Sequence, residues 1–276
     1  MIDLHIHTRA SDGTLSPSQV IQKAVEKGLS AVAITDHDTV DGVEEAITEA
    51  KKYKEIEVIP GIELSTYWKK AEIHILGYYI EYKSKWLLNT LSYLQSKRLE
   101  RVKKMIDKLN HMGYKINYKD VVSKTEGSVG RPHVASALVD YKYVTSIGEA
   151  FDNLIGYDKP AYVPRYKLTP AEAIKIINKA KGVAVLAHPG LYASEWEGAM
   201  DEMLTAGLKG IEVYYRLHSQ ELQKHLLNLT NRHCLIATGG SDFHGGNREE
   251  NLMGTPEVPA TVLQQLQEAQ IEGKCQ

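Results

Sequence analysis

The sequence has few cysteines, almost no net charge and no long apolar run, and each shortage excludes a class of protein. Two cysteines, Cys234 and Cys275, supply neither a disulfide framework nor a thiolate zinc site. The 33 basic and 35 acidic side chains leave a net charge of −2, which argues against an extended nucleic-acid-binding surface. No segment has the roughly 18 consecutive apolar residues of a membrane helix, so we expect no membrane association.

The beginning of the chain contains neither the basic segment nor the apolar segment of a secretory signal, so we expect a cytoplasmic protein. Apolar residues make up 43% and charged residues 25%, as in ordinary folded proteins. A chain of 276 residues can form one large domain or two small ones, with a substantial core in either case. The one unusual feature of the composition is the frequency of histidine, which occurs eleven times.

Short apolar runs alternate with helical patterns in both the first and the last third of the chain. Helix starts are marked by Ser16-Pro17 and Thr169-Pro170, where a hydroxyl residue caps the helix and proline occupies its first turn. The alternation predicts an α/β protein with a parallel sheet or barrel. The strand candidates are 2–6, 31–35, 57–59, 73–80, 183–187, 210–215 and 235–238.

The middle of the chain has a different pattern. From Lys85, leucines such as Leu87, Leu91 and Leu94 recur at helical spacing, and no convincing strand occurs before Leu168. We therefore predict a barrel formed by 1–84 and 169–276, with an inserted helical substrate-recognition subdomain at 85–168.

Histidines and carboxylates accompany the predicted strands. His5 and His7 share one face of the first strand, because side chains alternate along a strand. Most of the other groups lie at or just beyond the C-terminal end of a strand, where active sites of parallel α/β folds assemble. The nine candidate metal ligands are His5, His7, Asp12, His37, Glu63, His74, His188, Asp242 and His244.

Imidazole and carboxylate ligands without thiolate suit Mn²⁺, Zn²⁺ or Fe²⁺. Nine ligands are too many for one ion, so we expect two or three divalent ions, with Mn²⁺ favoured and a carboxylate such as Glu63 as a bridge. Clustered ions generate hydroxide at neutral pH and hold the oxygens of a phosphoryl group. Phosphoester hydrolysis is therefore the expected chemistry, while deamination and amide hydrolysis stay open on chemistry alone.

Four motifs carry a family resemblance, and they occur in order between residues 3 and 244. They resemble the signature motifs of the PHP (polymerase and histidinol phosphatase) family. The resemblance implies a distorted (β/α)7 TIM-like barrel with a trinuclear metal site, whose ligand positions match the nine candidates one for one. Asp12 stands where some members have histidine, a difference that bears on metal preference. The motifs are Asp3-Leu4-His5-Ile6-His7, Thr35-Asp36-His37-Asp38, His188-Pro189 and Ser241-Asp242-Phe243-His244.

The segment Gly130-Arg131-Pro132-His133 lies in the helical insertion and combines a helix start with a guanidinium that can grip phosphate. This stretch resembles the PHP subgroup that acts as 3′,5′-nucleoside bisphosphate phosphatases, related members of which trim short RNAs from the 5′ end. The resemblance implies that Arg131 and His133 bind the phosphate that is not cleaved, with Ser128 as a further candidate.

Three other residues are candidates for the same pocket. Arg165 and Lys167 add positive charge near the end of the insertion, although a solvated surface pair explains them equally well. His218 follows a predicted strand, so we expect it to line the pocket and to contact phosphate or the leaving oxygen.

We therefore predict a phosphoesterase that removes the 3′-phosphate of nucleoside 3′,5′-bisphosphates (pAp to AMP and phosphate) by attack of a metal-bridging hydroxide. Short 5′-phosphorylated oligoribonucleotides are a second expected substrate. The alternatives are a phosphatase for histidinol phosphate or another small phosphomonoester, a proofreading-type exonuclease, and a non-catalytic metal-binding scaffold. The sequence leaves the oligomeric state open. The expected catalytic residues are His5, His7, Glu63, Asp242 and His218.

Overall fold

The computed structural model describes residues 1–69, 71–123, 128–164, 166, 168–192, 194–246 and 252–274. These residues form a seven-stranded sheet in which the strands follow one another in chain order. The strands are β1 (Ile2–Ile6), β2 (Ala31–Ile34), β3 (Glu57–Trp68), β4 (Ala71–Tyr78), β5 (Val183–Leu186), β6 (Gly210–Tyr215) and β7 (Ile236–Gly240).

The sheet curls until its first and last strands meet. Ile6 of β1 pairs with Phe243, just beyond β7, and the His7 N–H donates to the Phe243 carbonyl at 2.9 Å. The predicted distorted barrel is thereby confirmed. The expectation of a parallel sheet is wrong for β4, which runs antiparallel to both β3 and β5.

Strand β3 is longer than the sequence pattern indicates. Pro60-Gly61 resembles a strand end, but the strand continues through it to Trp68. Glycine is needed at position 61 because a Cβ atom there would lie 2.8 Å from the Ile34 carbonyl oxygen. The predicted end at Ile59 is therefore wrong, and Glu63 lies within a strand.

Helices cover the outside of the barrel, and their starts carry the expected caps. Ser16 and Thr169 each form a capping box, with Gln19 and Glu172 respectively. The α-helices are α1 (Pro17–Glu26), α2 (Asp41–Ala50), α3 (Lys85–His111), α4 (Tyr118–Val122), α5 (Arg131–Asp140), α6 (Ile147–Ala150), α7 (Pro170–Lys179), α8 (Met200–Thr205), α9 (Gln220–His233) and α10 (Thr261–Lys274). A π-helical turn spans Phe151–Ile155, and 3₁₀ turns span Pro189–Tyr192 and Glu195–Ala199.

The 27-residue helix α3 contributes to two separate apolar clusters. Its first half packs Leu87, Leu91 and Leu94 into the main core around the barrel. Its second half, from Val102 to Leu109, packs into another cluster that is completed by residues from 116 to 163. The described part of 85–168 is helical and contains no strand, as expected. Its status as an inserted subdomain stays a prediction.

Candidate metal centre

One end of the barrel collects all nine candidate ligands. Glu63 projects from within β3, His74 from within β4, and His5 from within β1. The other six lie in the segments that follow β1, β2, β5 and β7. Each of the nine belongs to at least one group of side chains whose ligand atoms lie within 4.8 Å of one another.

Glu63 lies at the centre of this cluster and is fully buried. Its Oε1 lies 2.7 Å from His74 Nδ1 and 3.0 Å from His188 Nε2. Its Oε2 lies 3.0 Å from His37 Nδ1 and 3.2 Å from His7 Nε2. Oε2 also lies 3.4 Å from His5 Nε2. The two carboxylate oxygens therefore face different imidazoles, as a carboxylate shared by two ions would.

Two further carboxylates, Asp242 and Asp12, also lie against imidazoles of the cluster. Asp242 Oδ1 lies 3.2 Å from His7 Nε2, and the Tyr215 hydroxyl donates to Asp242 Oδ2 at 3.0 Å. Asp12 Oδ1 lies 3.4 Å from His244 Nε2. The three carboxylates thus span the whole group of imidazoles.

The backbone is strained where it carries this site. His188 and Asp242 have φ angles of 23° and 54°, and Asp38, next to His37, has a φ angle of 53°. Non-glycine residues seldom adopt these angles, and such strain concentrates at functional sites. The surrounding fold therefore enforces the side-chain directions here.

The electrostatics of the cluster favour positive charge. Although burial opposes ionisation of Glu63, the imidazoles of His37 and His74 help to lower its pKa well below its ordinary value. Burial also opposes the charged form of His74, yet Glu63 raises its pKa to about 9. Asp12 outweighs burial in the same way and raises the pKa of His244 to about 10. Bound divalent ions would supply the positive charge that these carboxylates attract.

Three ligand atoms in the cluster fit a metal better than they fit a network of hydrogen bonds. Asp12 Oδ1, His37 Nδ1 and Glu63 Oε2 are buried, and among the described residues none makes a hydrogen bond of suitable angle, although His37 Nδ1 and Glu63 Oε2 lie 3.0 Å apart. Unpaired buried polar atoms are costly, whereas coordination by carboxylate oxygen and imidazole nitrogen satisfies them. The residues present therefore suit divalent ions.

Several buried residues that the sequence did not single out hold the ligands in place. Glu212 Oε1 lies 3.0 Å from His5 Nδ1, and Glu212 Oε2 accepts a hydrogen bond from the His188 backbone N–H at 2.7 Å. The Tyr192 hydroxyl lies 2.7 Å from His188 Nδ1. Such partners orient metal-binding imidazoles. A carboxylate in the middle of a buried strand, as Glu212 is in β6, was the available sequence signal.

Arg131 reaches the metal centre from α5. It lines a cavity of about 500 Å³ together with His74 and His188. Its guanidinium makes an ion pair of 2.7 Å with Glu72, whose other oxygen lies 3.4 Å from His74 Nε2. A charge that can bind phosphate thus lies in the same cavity as two of the candidate ligands.

His133 and Ser128 hold the helical segment against the barrel. The Gly130 N–H donates to His133 Nδ1 at 2.9 Å, and His133 Nε2 donates to the Ser11 carbonyl at 3.1 Å. The Ser128 N–H donates to the Ala10 carbonyl at 2.8 Å. Both His133 nitrogens are therefore occupied by backbone groups, and in this conformation the ring has none left for a phosphate. Its predicted substrate contact is not supported by this geometry.

Arg98, which the sequence did not single out, connects the helical segment with the barrel. Its Nε lies 2.6 Å from Asp38 Oδ2, and its Nη1 donates to Ser128 Oγ at 2.8 Å. Its Nη2 donates to Ser65 Oγ on β3 at 3.1 Å.

The geometry argues against the predicted role of His218 in contacting phosphate or the leaving oxygen. Its Nδ1 donates to the Val213 carbonyl at 2.9 Å, and its Nε2 accepts from the Gly190 N–H at 3.1 Å. Burial lowers its pKa, so the ring is neutral and both nitrogens are in use. His218 instead fixes the turn that follows His188.

The predicted contributions of Arg165 and Lys167 lie outside the described residues. The three histidines outside the candidate set, His111, His225 and His233, are exposed.

Comparisons with known proteins agree with this site. The model of the PHP domain matches residues 3–158. The 3′,5′-nucleoside bisphosphate phosphatase of Chromobacterium violaceum is 33% identical over 265 residues, which are 94% of this chain and 92% of that protein. A 5′-3′ exoribonuclease of Haemophilus influenzae is 33% identical over 245 residues, covering 88% of this chain and 89% of the relative.

A solved structure shows the same fold. A predicted metal-dependent phosphoesterase from Bifidobacterium adolescentis superposes with a TM-score of 0.88 at 28% sequence identity, covering 97% of this chain and 96% of the other. Among the described residues, no helix has both the length and the apolar character needed to cross a membrane.

Proposed function

The chain belongs to the PHP family and is a metal-dependent hydrolase of phosphoester bonds, and on this premise we propose that it removes the 3′-phosphate of nucleoside 3′,5′-bisphosphates. The observation that carries the proposal is the shared cavity of Arg131, His74 and His188. One end of a bisphosphate would lie at the metal centre while its other phosphate meets a guanidinium. Short 5′-phosphorylated oligoribonucleotides present the same 5′-phosphate and are proposed as further substrates.

In this proposal, residues His5, His7, Asp12, His37, Glu63, His74, His188, Asp242 and His244 hold two or three divalent ions, with Mn²⁺ favoured. When bound, such ions activate water and offset the charge that develops on a phosphoryl group. Glu63, whose two carboxylate oxygens face different imidazoles, would be the ligand shared between ions. Glu212 keeps the His5 ring in position through its Nδ1 atom.

Arg131 binds the 5′-phosphate, which is not cleaved. In the structure, the Arg131 guanidinium pairs with Glu72 at 2.7 Å, so an incoming phosphate competes with that carboxylate. A dianionic phosphate accepts a bidentate pair of hydrogen bonds from arginine and displaces a single-contact carboxylate. We also propose that residues 85–168 form the substrate-recognition subdomain of the barrel, because α5 carries Arg131.

The proposal is tested by phosphate release with Mn²⁺ from two matched substrates, adenosine 3′,5′-bisphosphate and adenosine 3′-phosphate, which differ only in the 5′-phosphate. We expect kcat/KM to be at least about tenfold higher for the bisphosphate, since one charge-assisted phosphate contact contributes that much. Histidinol phosphate is included in the same panel. Equal values for the matched pair, or preference for histidinol phosphate, would contradict the proposal. Absence of turnover in a metal-loaded protein would favour a binding scaffold.

A further inference from the structure

The cavity that Arg131 shares with the metal centre has a second wall, which comes from the two 3₁₀ turns after β5. We call this space of about 500 Å³ the Arg131 cavity, and its volume lies within the usual range for ligand pockets. The metal centre contributes His74 and His188 to it, and α5 contributes Arg131. The second wall, which we call the Leu191 wall, consists of Leu191, Tyr192 and Glu195.

The Leu191 wall is held by contacts on both sides of Leu191. Before it, the Gly190 N–H donates to His218 Nε2 at 3.1 Å. After it, the Tyr192 hydroxyl lies 2.7 Å from His188 Nδ1. Since both neighbours of Leu191 are anchored to buried histidines, this part of the cavity is formed before any ligand binds.

Leu191 is the apolar part of the wall. It is 48% exposed although both of its neighbours are anchored, so the turn presents the leucine to the cavity instead of packing it into the core. Contact with a phosphate would leave this apolar surface in a polar environment. Contact with the face of an aromatic ring would remove apolar surface from water, which is favourable.

Glu195 is the charged part of the wall. It is exposed, and within the part of the chain that the structure describes its carboxylate has neither an ion pair nor a hydrogen-bond partner. The other acid of the cavity, Glu72, is paired with Arg131 at 2.7 Å. A carboxylate repels phosphate and accepts hydrogen bonds from N–H groups. Glu195 therefore suits a neutral part of a ligand that carries N–H donors.

The shape of the substrate indicates which part of it meets this wall. A nucleoside 3′,5′-bisphosphate carries three groups on its ribose, namely the 3′-phosphate, the 5′-phosphate and the nucleobase. In the proposed function, the metal centre takes the 3′-phosphate and Arg131 takes the 5′-phosphate. The base leaves the ribose in a third direction, and it has both an aromatic face and N–H donors on its edge.

We propose that the Leu191 wall binds the nucleobase. Leu191 contacts the face of the ring, and Glu195 accepts a hydrogen bond from the exocyclic amino group of adenine. This inference rests on the proposed function and adds to it the group that distinguishes a nucleotide from other small bisphosphates. A base that carries an amino group is therefore preferred to the same base without one.

The test uses two bisphosphates that differ in one amino group, adenosine 3′,5′-bisphosphate and the 3′,5′-bisphosphate of unsubstituted purine riboside, with protein loaded with Mn²⁺. In the wild type we expect kcat/KM to be about tenfold higher for the adenosine compound, because a hydrogen bond to a charged acceptor contributes that much. In Glu195→Ala the ratio of the two values should fall to about one. Glu195→Gln keeps a neutral acceptor and should give an intermediate ratio. The ratio is the measure because loss of the negative charge favours both anionic substrates equally.

A third bisphosphate, with hydrogen in place of the base, tests Leu191. Leu191→Ala should lower kcat/KM for both base-bearing compounds about threefold to fivefold relative to this one, because apolar contact with the ring is lost. An equal change on all three compounds would contradict that contact. The matched controls are Glu197→Ala, at an exposed acid in the same 3₁₀ turn as Glu195, and Leu217→Ala, at an exposed leucine after β6; neither residue belongs to the lining of the Arg131 cavity.

Two results overturn the inference. One is an equal wild-type kcat/KM for the adenosine and purine compounds, and the other is the same ratio in Glu195→Ala as in Glu197→Ala. If no bisphosphate is hydrolysed, the proposed function fails instead. Equilibrium binding of the adenosine and purine compounds then decides the inference, which is overturned if the wild type binds both with the same affinity.

Discussion

The barrel and the helical segment from α3 to Val163 hold their functional side chains in opposite ways. In the barrel, strands bring fully buried groups such as His5 and Glu63 together, and backbone pairing fixes their spacing. In the helical segment, Arg131 lies at a helix start, is partly exposed, and has a side-chain partner, Glu72, that can be exchanged. If the proposed function holds, the barrel determines whether a phosphoester is cleaved, and the helical segment determines which one.

Arg98 is where the two regions meet. Its guanidinium contacts Asp38 and Ser65 of the barrel and Ser128 of the helical segment, and both members of its ion pair with Asp38 are almost fully buried. Ser128 lies three residues before Arg131, so the contact also influences the position of the proposed phosphate ligand. Five single substitutions examine the two regions and their junction.

The largest effect is expected in the barrel. Asp242→Asn removes the charge of a proposed metal ligand. It should lower kcat on the order of a thousandfold and reduce bound metal, because neutral amides are poor ligands beside imidazoles. Rates and metal content by mass spectrometry measure this. Asp201→Asn, the same change at an exposed residue in the first turn of α8, serves as the control. Full activity in Asp242→Asn would show that the barrel does not control cleavage.

The junction should give the next largest effect. Arg98→Met leaves the Asp38 carboxylate buried without its cation, and we expect the free energy of unfolding to fall by about 3–5 kcal/mol. Arg232→Met, the same change at an exposed arginine in the last turn of α9, is the matched control. Urea unfolding measures both. The double variant Arg98→Met/Asp38→Asn should lose less than the sum of its parts; equal losses in both arginine variants would disprove the junction role.

A smaller effect is expected from the helical segment. Arg131→Gln should raise KM for adenosine 3′,5′-bisphosphate about tenfold more than KM for adenosine 3′-phosphate, since the lost contact serves the 5′-phosphate. Steady-state kinetics on the two substrates measure the difference. If both KM values rise equally, Arg131 does not distinguish substrates, and the assignment of specificity to the helical segment is wrong.

The smallest expected effect is on the pH dependence of the free energy of unfolding, and variants in both regions should show it. Burial lowers the pKa of His133 in the helical segment and of His218 in the barrel below the usual value near 6.5. The unfolded chain therefore binds more protons, so each ring contributes full stability above about pH 6.5 and loses it as the pH falls toward its folded pKa. Unfolding free energies at pH 7.5 and 5.5 should differ less in His133→Asn and in His218→Asn than in the wild type, by about 1 kcal/mol. His233→Asn, at an exposed position, should behave like the wild type.

The local periodicity of strands predicted an α/β sheet or barrel, and the family resemblance of the four motifs implied the distorted barrel. His5 and His7 alternate on one strand, and the other ligands follow apolar runs that could be read one at a time. The reversed direction of β4 was not predictable in this way, because an apolar run has the same pattern in either direction. Gly61 was misread as a strand end since the reason for that glycine is the approach of Ile34 from another strand.

Contacts between distant residues account for what the sequence did not reveal about the site. Glu212 meets His5 across 207 positions, and Arg98 meets Ser128 across 30. His218 follows a strand just as the ligands do, and its sequence position gave no sign that Val213 and Gly190 occupy both of its nitrogens. Residue type and strand position indicated candidates, but the partners of each side chain were decided by the assembled fold.

Helix α3 has one more consequence. Because β4 runs backwards, the chain leaves it at the end of the barrel opposite the metal centre, and the 27 residues of α3, about 40 Å, carry it back. Because α3 is one unbroken helix, its length and its rotation about its own axis together determine where the rest of the helical segment lies on the barrel. Deleting a single residue between Arg98 and Val102 would turn the second half of α3 by about 100° while shortening it by about 1.5 Å. The length of α3 therefore determines the shape of the cavity lined by Arg131, His74 and His188 as much as any side chain in that cavity does.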